Sequence, residues 1–282
     1  MHVVVLGLGY TGLAIARVAV AQGAAVVGTS RDPTQIPPIP GVTVVPFAAA
    51  GDAIRVATHL VQTAPPGVEG DPALLAHGPA IAAAPLAWLG YLSTTGVYGN
   101  RDGGWVDEAT VPAPTTPRSM RRLAAEQAWR AAAGARPLDL FRVAGIYGPG
   151  RSPFAELRDG TARRVDKAGH KFGRIHRDDI VAAVLAAMGR PVGVRVLNLT
   201  DDEPAASADV MAEAARLLGI DPPPLVPFNP AMMSEMARSF WAESRLVSSA
   251  ATQAALGLRW RYPTYREGLA ATLTQERAQQ AE

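Results

Sequence analysis

Val3-Val4-Val5-Leu6-Gly7-Leu8-Gly9-Tyr10-Thr11-Gly12 opens the chain with an apolar run that breaks into a glycine turn. An apolar-periodic stretch over 13–21 follows and stops at Gly23, so the pattern reads as strand, turn, helix. In such a turn the first glycine permits a tight bend and the second lets backbone approach a pyrophosphate. The third allows close packing of helix on strand. The first amides of the helix then face the phosphates. Gly7, Gly9, Tyr10, Thr11 and Gly12 are therefore expected to form the phosphate end of a dinucleotide site.

Working outward, 25–28 reads as a second buried strand that ends at Thr29-Ser30-Arg31. Proteins that prefer NAD carry an acid at this point for the ribose hydroxyls, whereas a basic residue suits a 2′-phosphate. Ser30 and Arg31 thus favour NADP(H); Asp32, one residue further on, keeps NAD(H) as the alternative. The proline-rich stretch 33–40 reads as a short crossover. Further strands are expected at 42–45 and 59–62, with Pro65 and Pro66 lining the cofactor cleft behind the latter. A helix to Ala83, a strand at 86–93, a long helix at 120–133 and a strand at 138–142 complete an α/β alternation. That alternation predicts a doubly wound parallel sheet, a Rossmann fold. Past Gly150 the pattern is mixed. It holds a helix opening at Asp178-Asp179, a strand at 195–199, a helix at 208–218, short helical patterns at 231–239 and 248–256, and a polar C-terminal helix expected to fray after Gln275.

Composition removes several classes of function. The 282 residues are 48% hydrophobic and 18% charged, within the range of folded domains. With no cysteine there is no disulfide, thiolate nucleophile or cysteine-bearing metal site. Scattered histidines without ligand spacing lead us to expect no metal. No run reaches the roughly twenty apolar residues of a membrane helix, and a net charge of +2 argues against a nucleic-acid surface. Met1 and His2 lead straight into a strand, from which a cytoplasmic protein is expected. Lys167 and Lys171 are the only lysines, so arginine counts by themselves mark no anion site.

Three further stretches carry a resemblance. Ser93-Thr94-Thr95-Gly96-Val97-Tyr98-Gly99 resembles a segment of the extended short-chain dehydrogenases/reductases, the epimerase/dehydratase branch. Arg142 through Tyr147-Gly148-Pro149-Gly150 is similar to that branch's Arg-x-x-x-x-Tyr-Gly-Pro-Gly turn, and Ile175-His176-Arg177-Asp178-Asp179 to its His-x-x-Asp motif. With 261–268 the likeness spans almost the whole chain. It implies a Rossmann domain over 1–150 plus about 175–200, and a small C-terminal α/β substrate domain over about 151–174 plus 201–282. A homodimer packed through the helix carrying Arg118 is implied as well.

These enzymes use a Tyr-x-x-x-Lys pair, because a phenol with a reference pKa of about 10 needs a nearby cation to act near neutrality. Here Arg118 stands at the tyrosine position and Arg122 at the lysine position. No Tyr-x-x-x-Lys exists anywhere in the chain, since Arg163 and Lys167 precede its lysines by four. The departure matches the atypical, YeeZ-like subgroup. Thr94 aligns with the catalytic Ser/Thr, where its hydroxyl either bonds a substrate oxygen or satisfies the strand end. Tyr98 is the nearest phenol in sequence, either a proton donor tuned by Arg118, Arg121 or Arg122, or a packing residue. Arg122 can replace lysine at the ribose hydroxyls but cannot give up a proton.

On the substrate side the candidates are Arg118, Arg151, Arg174, His176, Arg238 and Trp241. Guanidinium groups beside an aromatic suit a carboxylate, phosphate or sugar nucleotide. The alternatives are a salt-bridge cluster for the arginines and a structural role for His176 ahead of its helix. The reading is an NADP(H)-binding oxidoreductase or epimerase-like protein acting on a small polar, anionic substrate. Its rival is a non-catalytic NADP(H) sensor or scaffold.

Overall fold

Val3, Val4, Val5 and Leu6 are all buried in β1 (His2–Leu6), inside a seven-stranded parallel sheet. A strand covered on both faces carries an unbroken apolar run, as this one does. The structure, a computed structural model, describes residues 1–232, 238 and 241–280. Its contacts divide the chain into two units, 1–97 with 117–142 and 180–197, and 98–116 with 143–179 and the described part of 198–282. The segment 98–116, which the family likeness assigned to the Rossmann domain, groups with the second unit.

After β1 come α1 (Tyr10–Ala21), β2 (Ala25–Ser30), β3 (Val42–Pro46), α2 (Gly51–Arg55), β4 (His59–Gln62), α3 (Pro72–Ala83) and β5 (Trp88–Thr94). The chain continues through β6 (Trp105–Val106), α4 (Pro117–Ala133), β7 (Leu138–Val143), β8 (Gly145–Tyr147), α5 (Phe154–Arg158), β9 (Arg164–Asp166) and β10 (Arg174–His176). It closes with α6 (Arg177–Met188), β11 (Val194–Leu199), α7 (Ser207–Leu218), β12 (Leu225–Pro227), β13 (Leu246–Val247), α8 (Ala250–Leu256) and α9 (Tyr265–Gln280). The expected long helix starts earlier, at Pro117, because proline suits a first helical turn that has no use for its missing N–H. The last helix extends to Gln280 among the described residues. The helical pattern over 231–239 lies largely outside the described residues.

The large sheet has the order β11-β7-β5-β4-β1-β2-β3. Its direction of growth reverses between β1 and β4, the switch point at whose carboxyl edge ligands bind in doubly wound sheets. In α1, Gly12, Ile15, Ala16 and Ala19 form the buried stripe, at the three- and four-residue spacing of a single helix face. Trp129 of α4 lies stacked on Tyr91 of β5, with ring centroids 6.1 Å apart, in a core that also takes Leu60, Ile81, Leu89 and Leu140. In the second unit α7, α9 and α5 bury Met211, Ala214, Leu269, Leu273 and Phe154 in a separate cluster.

One buried ion pair ties α4 to the sheet. Arg142 of β7 donates to both carboxylate oxygens of Glu126, at 3.1 and 2.8 Å, and Ser93 Oγ of β5 donates to Oε1 at 2.6 Å. Glu126 is 1% exposed and Arg142 3%, so neither charge has water to fall back on. Arg142→Met should therefore cost about 3–5 kcal/mol by stranding the carboxylate, whereas Arg142→Met with Glu126→Leu should recover most of it. Urea denaturation of the two variants checks this; equal losses would refute it.

Candidate functional site

The first unit holds a cavity of about 490 Å³ at the switch point, lined by Gly7, Leu8, Gly9, Thr29, Ser30, Arg31, Phe47, Thr63, Ala64, Pro65 and Pro72. Gly7 has φ +102°, a conformation that L side chains rarely adopt. Thr29 Oγ1 accepts from the Gly7 N–H at 2.9 Å, and Thr63 Oγ1 donates to the Gly7 carbonyl. Two threonines at the ends of β2 and β4 thus fix the loop from either side. A Cβ on Gly12 would stand 2.1 Å from the Gly7 oxygen, whereas a Cβ on Gly9 would meet nothing within 4 Å. Gly12 is required by packing. Gly9 is not, and its bare face opens on space where backbone can meet a ligand.

Gly9 caps α1 without a side-chain hydrogen bond, and the first turn holds no acid. An uncapped helix start beside a glycine turn gives positive dipole and N–H donors to an anion. The residues present therefore fit the pyrophosphate of a dinucleotide.

At the far end of β2, Ser30 and Arg31 line the cavity and Asp32 does not. The Asp32 carboxylate accepts from the Thr34 N–H at 3.0 Å and from its hydroxyl at 2.6 Å, which holds the Asp32 pKa below the ordinary value. Its backbone N–H is taken by Ser30 Oγ at 3.2 Å. The acid serves its own short 3-10 turn, Pro33–Gln35. Of the expected cofactor contacts, the cavity brings together Gly7, Gly9, Ser30, Arg31 and Pro65. Tyr10, Thr11, Gly12 and Pro66 stand beside it in the chain but outside its lining, Thr11 and Gly12 being buried. Thr29, Thr63 and Phe47 were missed; each stands at or just past a strand's carboxyl end, the one signal that marks them.

At the end of β5, Thr94 is half-buried and its Oγ1 accepts from the Gly96 N–H at 3.1 Å. The hydroxyl hydrogen is left to give. Arg122 donates Nη1 to the Tyr91 hydroxyl at 3.1 Å and to the Leu92 carbonyl at 2.8 Å. Burial pushes the Tyr91 phenol up to about 12 against the opposing charge of Arg122, so this pair is no base near neutrality. Arg118 is exposed in the first turn of α4.

Tyr98 belongs to the second unit, fully buried, with its hydroxyl donating to Asn198 Oδ1 at 2.7 Å. A phenol so placed is held by internal packing. His176 is held internally as well. It is 0% exposed, its Nδ1 accepts from the Asp178 N–H at 3.1 Å, and its Nε2 therefore carries the hydrogen and donates to Thr272 Oγ1 at 3.2 Å. No ring nitrogen is left for a substrate. Arg174 is half-buried, donating to the Ala205 carbonyl at 3.3 Å and lying over the Tyr265 ring. Arg151 and Arg238 are exposed, and Trp241 packs with His170, Phe172 and Phe228. Among the described residues no cluster of three metal-ligating side chains occurs, and no helix is long and apolar enough to cross a membrane.

No family model matches the chain. A solved structure of a conserved protein of unknown function from Silicibacter pomeroyi superposes with TM-score 0.91 at 44% identity, covering 97% of this chain and 98% of that one. Protein YeeZ of Escherichia coli K12 is 31% identical over 133 residues, 47% of each chain. A 3-diazoavenalumate denitrifying reductase of Streptomyces is 30% identical over 141 residues, 46% of this chain and 45% of that one. The chain thus matches about half the length of its curated relatives. MoeE5, solved with UDP-glucuronic acid and NAD, shares the fold at TM-score 0.80 and 21% identity, over 99% and 100% of the two chains.

Burial lowers the His176 pKa to about 4, with Asp178 opposing. An unfolded histidine titrates near 6.5, so the unfolded chain takes up the proton first. This contribution to stability is complete above about pH 6.5 and is lost as pH falls toward 4, at up to about 1.4 kcal/mol per pH unit. Denaturation between pH 7 and 5 should show that slope in the wild type and a flatter curve in His176→Gln; parallel curves would refute it.

Proposed function

We propose that the YeeZ-like chain binds NADP(H) in the cavity of its first unit and uses it on a small polar, anionic substrate of the sugar-nucleotide, phosphate or carboxylate class. Arg31 in the cavity lining, with Asp32 turned into its own 3-10 turn, is the observation that carries the cofactor choice. A guanidinium there suits the 2′-phosphate, and no carboxylate competes for the ribose. When bound, the nicotinamide supplies or accepts a hydride. Gly9 and the start of α1 hold the pyrophosphate, Pro65 and Phe47 keep water from the adenosine end, and Thr94 offers its hydroxyl hydrogen to a substrate oxygen. The reductase relative and the UDP-sugar complex of MoeE5 support an enzyme of this class. A homodimer belongs to the same reading and rests on family resemblance.

A second reading has its own observation. The Tyr98 hydroxyl and Nη1 of Arg122, which stands at the lysine position, both bond internal partners. That geometry favours a non-catalytic sensor of NADP(H) state.

Calorimetry with NADPH and NADH tests the cofactor. Arg31→Ala should weaken NADPH by about 10–100-fold, the 1.5–3 kcal/mol of a hydrogen bond to a charged group, and leave NADH unchanged. Equal affinity of the wild type for both cofactors sinks the NADP assignment. Gly9→Ala should keep the melting curve and lose both cofactors, whereas Gly12→Ala should lose stability first. NADPH consumption across a carbonyl library, diminished in Thr94→Ala, separates enzyme from sensor.

A further inference from the structure

Among the described residues of the second unit, the buried polar atoms without a hydrogen-bond partner are Glu108 Oε2, His170 Nδ1 and a group of three side chains: Tyr147 Oη, Arg174 Nη1 and both carboxylate oxygens of Asp201. Tyr147 is 8% exposed and Asp201 1%. They come from β8, β10 and the residues after β11, and the backbone fixes them together. Arg174 pairs with Gly145 in the parallel β8–β10 ladder, and the Asp201 N–H donates to the Arg174 carbonyl at 2.6 Å. Native proteins leave few buried polar atoms unsatisfied, since each costs about 1–3 kcal/mol, and more when charged.

No hydrogen bond joins the Arg174 guanidinium to the Asp201 carboxylate. Their charges still reach one another, the arginine opposing the burial that drives the Asp201 pKa up to about 8. Nor can the phenol swing away. A Cβ on Gly268 would fall 1.8 Å from Tyr147 Oη, so glycine there is what gives the hydroxyl its room.

The chemistry of the three groups selects the occupant. An anion would suit Arg174 and Tyr147 but repel Asp201 when ionised; a cation would do the reverse. A neutral O–H group serves all three. It accepts from the guanidinium, donates to the carboxylate, and reverses its part when the carboxyl is protonated. We infer that Tyr147, Arg174 and Asp201 enclose a binding site for a single neutral hydroxyl, either a resident water or one hydroxyl of a polyol ligand. Buried waters commonly make about three hydrogen bonds to otherwise unpaired groups, which is the number available. The site is independent of the nucleotide reading, because every residue in it belongs to the second unit.

A crystal structure of the full chain tests it, grown once without any polyol and once with glucose. The expected result is an oxygen peak about 2.7–3.2 Å from both Arg174 Nη1 and an Asp201 oxygen. A peak in the polyol-free crystal identifies water; a peak that arises only with glucose, continuous with the sugar, identifies a ligand hydroxyl. A direct Arg174–Asp201 ion pair, or no peak in either crystal, overturns the inference. Asp201→Glu, one methylene longer, should reach Arg174 and expel the oxygen; a peak unchanged in that variant would show that Asp201 is not its partner.

Discussion

The close contact between Gly12 and the Gly7 carbonyl governs the first unit. With no room for a Cβ at Gly12, α1 can lie against the end of β1 only if that position is glycine. The helix axis, and hence the direction of its uncapped start, follows from that contact. Thr29 and Thr63 complete the constraint by holding Gly7 from the two neighbouring strands. Because β2 and β4 flank β1 at the switch point, the braces and the cavity are set by one strand order. Gly9 is then free to remain bare where a phosphate would approach. Packing and binding thus fall on different glycines of one turn.

The region of the missing Tyr-x-x-x-Lys pair follows from the same kind of accounting. Arg122 donates inward to the Tyr91 hydroxyl and the Leu92 carbonyl, and Tyr91 is stacked on Trp129. An arginine presents five donors in a planar fork, so it can satisfy a phenol and a carbonyl together where a lysine would hold one point charge. At this position one guanidinium nitrogen holds both the Tyr91 hydroxyl and the Leu92 carbonyl at the end of β5. What stays available at that edge is Thr94, with one hydroxyl hydrogen. Polarising an oxygen is within its reach; shifting a proton near neutrality is not.

Sequence patterns revealed these parts unevenly, for physical reasons. The long strands and helices were legible because burial on both faces or one writes a run or a period, as in Val3–Leu6 and in Gly12, Ile15, Ala16 and Ala19. Strands of two or three residues, such as Trp105–Val106 and Arg174–His176, are too short to show a period and exist through their partners. Gly7 and Gly12 of the turn were legible because only glycine fits there. Asp32 was ambiguous, since its neighbour Arg31 faces the cavity and nothing local reveals that Thr34 claims the acid. Tyr98 and His176 each read two ways in the sequence for a common reason. Each is a functional-looking side chain whose polar atoms are taken by residues 100 and 96 positions away, Asn198 and Thr272.

Fully buried carboxylates are bonded in both units, and Asp201 departs from that pattern. In the first, Glu126 has Arg142 in bidentate contact and Ser93 besides. Asp139 has Arg195 at 2.6 and 2.8 Å and the Trp88 indole at 2.7 Å. Each carboxylate is saturated, and both clamp sheet strands. In the second unit, Asp179 is saturated by the Arg261 and Tyr262 N–H groups, whereas Asp201 is not. A protein that pairs its other buried acids so fully has the side chains to pair this one, and Arg174 stands within electrostatic reach. Leaving Asp201 unpaired costs stability without any return in packing, so the gap is better understood as space kept for a polar group than as a flaw in folding.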